Sequence, residues 1–355
     1  MIISSLTKFI LGGILLSKKI CIILNFILIS CLLIGCYNDS TIQDGNNIIV
    51  SSFTKDKKGK ISSIDSTTKE EIVNIKDKNV AITGDISYDS KKVAYIDALT
   101  DNDPWQLFLS DIKGKNPKQL TDDENGKANA RFTKDGSIYY ISTNSEGLIK
   151  LYKNDPDNNK TSIIDENNTD KEVECFNVVE NTVILSSISF SEKTKLWDKS
   201  EDGNPLISHT ISILNSDDSS SDIMNITASN IYSIDLTEDN TKALILGDNI
   251  NSDTGFGIYE LNLKEKTINK LLLDNDIAKQ SNSTLKNFTN PYLVRYSKNN
   301  DVIYFTGTLK DSEEFSLDEI ECEPCSIFSY DISNNEIKEF YTPEISSLVF
   351  DLNIH

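Results

Sequence analysis

The stretch that decides the fold is ISYDSKKVAYIDALTDNDPWQLFLSDIKGKNPKQLT, residues 86–121. It contains a polar turn at 88–92, an apolar run at 93–96, a second run at 106–111 and a tight turn around Gly114. Short apolar runs separated by Asn, Asp, Gly, Ser and Lys are typical of antiparallel strands joined by hairpin turns. We therefore interpret this stretch as most of one antiparallel β unit.

Degenerate copies of this unit recur along the chain. Their hairpin turns align at intervals of about 45 to 60 residues, a period that fits four strands in each copy. Internal repeats of this size indicate a β-propeller or a related array. No segment has a convincing 3.6-residue apolar period, so the sequence predicts an all-β protein. The aligned turn positions are Ser90, Gly136, Asn181, Asn240 and Asn300.

The two ends of the repeat region predict that the array closes on itself. The first block starts at Ile48 and has only three strands, up to Ile75, whereas the segment 348–352 resembles the inner strand at 234–236. Pairing these ends would complete a four-stranded blade and remove exposed strand edges. We therefore predict a six-bladed β-propeller of four-stranded antiparallel blades over residues 46–355. A seven-bladed ring and a solenoid are the alternatives.

The best-preserved blocks, ISYDSKKVAYI…WQLFLSDIKGKNPKQLT and ARFTKDGSIYYI, resemble the repeats of the TolB-type propeller family. In that family a Trp-Ser-Pro-Asp-Gly-like turn precedes a strand, and a second turn leads to a Leu-Thr pair. Segments 88–90 and 133–136 stand at the place of the family turn, without its proline. The resemblance implies the fold over most of the chain. It leaves the function open, because propellers act as scaffolds, ligand binders and enzymes.

The N-terminal segment has the pattern of a bacterial export signal. Lys18 and Lys19 precede the apolar run 20–34, and a small residue then precedes Cys36. The sequence Leu-Ile-Gly-Cys resembles the bacterial lipobox, which implies a signal peptide at 1–35 and a lipid on Cys36. Residues 36–45 then form a tether to the membrane. An uncleaved membrane anchor is the alternative.

The net charge of −20 limits the class of partner. Nucleic acids and anionic lipid surfaces are polyanions that require clusters of Lys and Arg, so we expect no nucleic-acid partner. Only Arg131 and Arg295 are arginines among 35 basic residues, which we interpret as codon bias. The acidic loops favour solubility and attract cations or basic partners.

The sequence predicts no catalytic centre, no metal site and no cofactor. It has no Gly-x-Ser-x-Gly elbow, and its two histidines, His209 and His355, provide no base for a Ser/His/Asp mechanism. The acidic runs 101–103 and 217–222 lack the spacing of an EF-hand loop. Glycine-rich phosphate-binding motifs are also absent.

Cys322 and Cys325 form the sharpest local motif. In an exported all-β protein, a Cys-Glu-Pro-Cys pair predicts a disulfide within a hairpin loop. Free thiols and a metal or redox site are the alternatives. Zinc would need two further ligands where the neighbouring side chains are only carboxylates.

Loop lengths give the clearest indication of function. If the strands of a blade are named A to D from the axis outward, B–C loops and D–A connections lie on one face of the ring. The long segments 98–104, 190–206, 307–324 and 275–291 are all of these two kinds. Aromatic residues on loops of a rigid scaffold suit a binding surface. The candidate binding-face residues are Trp105, Phe190, Trp197 and Phe315.

From these features we expect an exported, lipid-anchored, monomeric protein at the cell envelope. Its propeller binds a protein or a glycan through the loop-bearing face, without catalysis. The alternative is an envelope enzyme that acts on polysaccharide with carboxylates in the central funnel. The alternative for each tryptophan is that it plugs the base of its own loop.

Overall fold

A computed structural model describes residues 47–100, 102–200, 204–215, 217–252, 255–280, 282–317, 319–343 and 346–355. The described strands form six four-stranded antiparallel blades around a common axis, which confirms the predicted fold class. The predicted signal peptide at 1–35 and the tether at 36–45, with Cys36, lie outside the described residues.

The first half of the chain supplies three strands of blade 1 and all of blades 2 and 3. Blade 1 receives β1 (Asn47–Thr54), β2 (Gly59–Asp65) and β3 (Glu71–Lys78). Blade 2 contains β4 (Thr83–Ile86), β5 (Lys92–Asp97), β6 (Gln106–Asp111) and β7 (Lys118–Gln119). Blade 3 contains β8 (Lys127–Phe132), β9 (Ile138–Thr143), β10 (Ile149–Asp155) and β11 (Lys160–Ile163).

The second half completes the ring. Blade 4 contains β12 (Lys171–Val179), β13 (Thr182–Ser189), β14 (Ile207–Leu214) and β15 (Ser220–Ala228), with helix α1 (Phe190–Trp197) between β13 and β14. Blade 5 contains β16 (Asn230–Leu236), β17 (Lys242–Asp248), β18 (Phe256–Asn262) and β19 (Thr267–Leu273), with a 3₁₀ turn at Ile250–Ser252 and helix α2 (Asp274–Ile277) after β19. In blade 6, β20 (Leu285–Phe288) and β21 (Val294–Tyr296) both pair with β22 (Val302–Leu309) and share the innermost position, and β25 (Ser326–Asp331) and β26 (Glu336–Tyr341) follow outward. The hairpin of β23 (Phe315–Leu317) and β24 (Ile320–Cys322) is a separate two-stranded sheet, and β27 (Ser347–Ile354) is the last strand.

Strand β27 closes the ring as the innermost strand of blade 1. It pairs antiparallel with β1, from Ile48 opposite Ile354 to Thr54 opposite Ser347. The backbones of Asn47 and His355 also exchange two hydrogen bonds of 3.2 and 3.3 Å. The predicted pairing of the N-terminal and C-terminal strands is therefore confirmed.

The hydrophobic core consists of six clusters within the described residues, and each cluster fills the space between two neighbouring blades. Strand β5 shows how the sequence builds them. Val93 and Tyr95 pack towards blade 1, while Ala94 and Ile96 pack towards blade 3. Because both faces of a blade are buried, such strands are continuous apolar runs, without the alternation of a half-exposed sheet.

The A–B turns explain why the repeats align where they do. The aligned residues Ser90, Gly136, Asn240 and Asn300 all have positive φ, and each donates its backbone N–H to the residue three positions earlier. Gly and Asn adopt this conformation at little cost, which accounts for their recurrence. Blade 4 differs, because the positive φ lies at Glu180, one residue before the predicted position.

We name the two ends of the blades by their connections. The turn face carries the A–B and C–D turns, and the loop face carries the B–C loops and D–A connections. All four predicted long segments lie on the loop face. Helix α1 was not predicted, because eight residues are too few to show a period. The signal was the Ser189-x-x-Glu192 pattern of a helix start.

The closure predicts the effect of a deletion. Removing residues 346–355 should abolish the cooperative thermal transition, because blade 1 loses its inner strand and blade 6 loses its neighbour. The buried side chains of Val349 and Leu352 alone contribute about 3–6 kcal/mol. Circular dichroism on heating measures the effect, and a truncated chain that kept the transition of the full chain would contradict this prediction.

Candidate interaction surface

Helix α1 stands on the loop face at the end of β13, and its first turn is tied down by Asp170. Ser189 caps the helix, with its Oγ accepting from the Glu192 N–H at 3.1 Å. Asp170 accepts from the Ser189 hydroxyl at 2.6 Å and from the Ser191 N–H at 2.7 Å. These bonds, the Ser189 bond first, lower the pKa of Asp170. The connection from blade 3 to blade 4 therefore holds the start of the helix.

The rest of α1 projects from the body of the propeller. None of its residues is buried, and its two aromatic side chains, Phe190 and Trp197, are 44% and 45% exposed. Residues seven positions apart lie on the same side of a helix, so the two rings form one ridge. We call this pair the α1 ridge. Large aromatic side chains in such a position commonly serve as anchors in interfaces.

A polar groove of about 1000 Å³ lies beside the α1 ridge, between blades 3 and 4. Its walls are the connection 165–171, the end of β13 at 187–189, Thr210, and the pair Ser220 and Asp222. Acidic side chains outnumber basic ones along these walls. We call this feature the blade 3–4 groove.

The only amino group lining the described part of this groove is already neutralised. Lys171 Nζ lies 2.8 Å from Asp165 Oδ2, and Ser220 Oγ donates to the same oxygen at 2.6 Å. Burial alone would raise the pKa of Asp165, but the bonds from Lys171 and Ser220 lower it overall. Glu166 and Asp222 remain as further negative charges, so the groove is suited to a basic group.

A second aromatic cluster lies on the loop face of blades 5 and 6. The ring of Tyr232 is 4.9 Å from that of Tyr292 and 5.8 Å from that of Phe256. The Tyr232 hydroxyl donates to Asp248 at 2.8 Å, and burial, followed by this bond, raises the pKa of Tyr232. Tyr232 is 38% exposed. Tyr232 and Phe256 come from different strands and Tyr292 from the segment before β21, so the sequence did not reveal the cluster.

The four predicted binding-face aromatics have different environments. Phe190 and Trp197 form the exposed α1 ridge. Trp105 is half-buried at the base of its loop, where it packs against the clusters on both sides of blade 2. Phe315 is 8% exposed within the β23–β24 hairpin. The structure thus brings only two of the four together at a surface.

The structure contains Cys322 and Cys325 as free thiols, and the disulfide between them stays a prediction. Cys322 ends β24 and is partly exposed, while Cys325 belongs to the cluster between blades 6 and 1. Burial raises the pKa of Cys325 to about 12. At neutral pH the Cys325 thiol therefore stays protonated and unreactive.

The innermost strands place six polar side chains at one register position around the axis. Each is opposite the second or third apolar residue of its neighbouring strand, and each is at most 3% exposed. Three of their contacts join neighbouring blades, and Arg131 also binds Asp351 of blade 1, which is not a neighbour of blade 3, so these side chains lie at the axis. In ring order from blade 1, we call these the axial residues: Asn353, Asp85, Arg131, Asn177, Asp235 and Arg295.

One buried ion pair spans the axis. Both Nη atoms of Arg131, in blade 3, bond to the carboxylate of Asp351, in blade 1, with Nη1 at 2.7 Å from Oδ2. Burial opposes the charge of Arg131, but Asp351 raises its pKa overall. Arg131 Nε also donates to Asn177, and Asn177 donates to Asp235 at 2.7 Å. The codon-bias interpretation thus overlooked that both arginines occupy the axis.

The axial carboxylates do not form an accessible pair. Asp351 is bound by Arg131, and Asp85 accepts from Asn353 and from the Phe132 N–H. Asp235 accepts from Asn177 and from the backbone of blade 6. All three carboxylates are at most 3% exposed. A polysaccharide chain cannot reach them in this arrangement, so these groups do not support the glycosidase alternative.

The axial ion pair predicts a large loss of stability for one substitution. Asp351→Asn should lower the free energy of unfolding by about 3–5 kcal/mol, because it leaves Arg131 charged and buried without a carboxylate. Glu336→Ala is the control, since it removes the exposed pair with Lys338 and should cost less than about 1 kcal/mol. Urea unfolding measures both values, and equal losses would contradict this prediction.

Comparison with known proteins identifies the fold. No family model matches the sequence, and a search of curated proteins finds no match. The structure is similar to TolB from Acinetobacter baumannii, with a TM-score of 0.60 and 12% identity, over 87% of this chain and 66% of that chain. It is also similar to Kuenenia stuttgartiensis hydrazine synthase, with a TM-score of 0.57 and 12% identity, over 87% of this chain and 46% of that chain.

This chain therefore spans less than two thirds of either structure's length. Every helix in its described ranges is too short or too polar to cross a membrane. Identities of 12% establish the fold and nothing finer. Together with the six closed blades, they show that the chain has a β-propeller fold similar to that of TolB.

Proposed function

We propose that this chain is a non-catalytic interaction module, anchored to a bacterial membrane by lipid on Cys36, which binds a protein partner through its loop face. The single observation that carries the proposal is helix α1, none of whose residues is buried. Exposing two large aromatic rings on one ridge is costly for a surface that binds nothing. The TolB-like fold supports the same role at a coarser level.

The surroundings of the α1 ridge indicate the chemistry of the partner. The blade 3–4 groove beside it carries Glu166 and Asp222, while its amino group on Lys171 is neutralised by Asp165. A partner with an apolar pocket flanked by Lys or Arg would bury the rings and match the charges. Opposite charges would also accelerate association at low salt.

A glycan is the second candidate, because the loop face also holds the aromatic cluster of Tyr232, Phe256 and Tyr292. Aromatic rings pack on the apolar faces of sugars, and Asp248 beside them can accept hydrogen bonds from sugar hydroxyls. The rings of this cluster pack against one another, and their side chains are less exposed than those of the α1 ridge. The protein partner is therefore the first proposal.

Photocrosslinking from intact cells tests the proposed surface. A photoreactive amino acid at position 197 should give one dominant protein adduct, and Phe190→Ala in the same chain should reduce its yield at least tenfold. Position 73 is the matched control, because Val73 is also 45% exposed but lies on the outer strand of blade 1. It should give no such adduct.

The outcomes separate the alternatives. Equal adducts from positions 73 and 197, or none from 197 in a folded chain, would contradict the proposed surface. A glycan adduct at 197 would keep the surface and replace the class of partner. Loss of the adduct at high salt would support the charge complementarity between the groove and the partner.

The membrane anchor rests on the lipobox-like Leu-Ile-Gly-Cys sequence and has its own test. Cells that express the chain and are labelled with radioactive palmitate should yield a labelled protein. Cys36→Ala should abolish the label and leave a precursor that retains residues 1–35. Cys175→Ala is the control for the loss of a cysteine, and unchanged labelling of Cys36→Ala would exclude the anchor.

A further inference from the structure

The axial residues repeat with twofold pseudosymmetry. In ring order their residue types are Asn, Asp and Arg in blades 1 to 3, and again Asn, Asp and Arg in blades 4 to 6. The first hydrogen bond of each half is the same. Asn353 Nδ2 donates to Asp85 at 2.9 Å, and Asn177 Nδ2 donates to Asp235 at 2.7 Å.

Two further bonds follow the pseudosymmetry. Asp85 Oδ2 accepts from the N–H that follows Arg131, and Asp235 Oδ2 accepts from the N–H that follows Arg295. Nη1 of each arginine donates to the carbonyl of the residue before it, at 2.9 Å for Arg131 and 2.7 Å for Arg295. The two halves of the ring therefore place their guanidinium groups in similar surroundings.

The pseudosymmetry fails at the remaining nitrogen atoms of the guanidinium groups. Arg131 Nε donates to Asn177 Oδ1 at 3.2 Å, and its two Nη atoms bind Asp351. In the other half, Arg295 Nε and Asn353 Oδ1 are both buried without a hydrogen-bond partner. Among the described residues, no carboxylate lies within ion-pair distance of Arg295, whose Nη1 bonds only to Ser233 and backbone carbonyls.

The reason is one substitution in the repeat. Asp351 stands two residues before Asn353, and the residue two positions before Asn177 is Cys175. A buried neutral thiol cannot replace a carboxylate as the partner of a guanidinium. Arg295 does act on Cys175, because it lowers the pKa of the thiol, although burial raises that pKa by more. The second half of the ring thus has Arg295, the counterpart of Arg131, but no carboxylate at the place of Asp351.

We propose that Arg295 is an anion-binding site on the propeller axis, which takes a small carboxylate or planar oxyanion at the place that Asp351 occupies in the other half. The ligand would accept two parallel N–H bonds from the guanidinium, as the Asp351 side chain does from Arg131. A charged guanidinium that is 3% exposed is costly without such a partner.

The electrostatic environment of Arg295 agrees with the geometry. Burial, followed by repulsion from Arg131, lowers the pKa of Arg295 to about 10. At neutral pH the group is still protonated, and an added negative charge would stabilise it. Asp235 does not fill the place, because it is not within ion-pair distance of Arg295 and its oxygens accept from Asn177 and from Tyr296 N.

Formate is the probe that tests this site, with sodium chloride at equal ionic strength as the reference salt. The full chain in detergent is unfolded and refolded in each salt, so that the anion can enter before the ring closes. The thermal midpoint should rise in formate by about 2–4 °C once formate exceeds its Kd tenfold. Chloride has a single centre and cannot accept two parallel bonds.

A carboxylate supplied by the chain itself provides the matched comparison. Cys175→Asp should fold and lose the response to formate, because its side chain occupies the place of the anion. Both cysteines lie in apolar clusters, but Arg295 acts electrostatically on Cys175 and no arginine acts on Cys325, so Cys325→Asp should lower the midpoint much further. Equal midpoints in formate and chloride for the unmodified chain would overturn the proposal, and so would a Cys175→Asp variant that still responds to formate.

Discussion

The ion pair between Arg131 and Asp351 is the interaction on which the ring depends. It joins blade 3 to the inner strand of blade 1, which is the strand that arrives last along the chain. Main-chain pairing fixes β27 against β1, and the ion pair ties that strand to blade 3, which is not its neighbour. The ion pair forms only when β27 is in place, and in the closed ring each buried charge needs the other, so closure and charge pairing are coupled.

The bonded axis constrains the inner strands, whereas the length and sequence of the B–C loops can vary. Each inner strand is packed against two neighbours and bonded at the axis, whereas the B–C loops are held at their bases and extend from the loop face. The α1 helix replaces a simple turn in blade 4 without disturbing β13 or β14. A scaffold of this kind holds an aromatic ridge in a defined direction at little entropic cost, which favours binding.

The sequence was sufficient for the architecture because the repeats carry it. The turns around Ser90, Gly136, Asn240 and Asn300 mark the hairpins, and the three-strand first block reveals the closure. It was insufficient for the site, since the α1 ridge depends on a helix too short to show a period. The axial network could have been predicted, because Arg131 and Arg295 each stand two residues before an A–B turn. The low number of arginines in the chain, taken alone, gave no reason to place the two side chains together.

The composite blade 1 also constrains the order in which the protein can be made. Strands β1 to β3 leave the ribosome first, and the partner that covers the inner edge of β1 follows only after residues 79–346. Until β27 is available, β1 has an open edge and blade 2 has an incomplete neighbour, so the native ring cannot form. The inner edge of β1 must therefore stay unpaired until β27 reaches it. Strand β27 must also bind that edge more favourably than any other strand does.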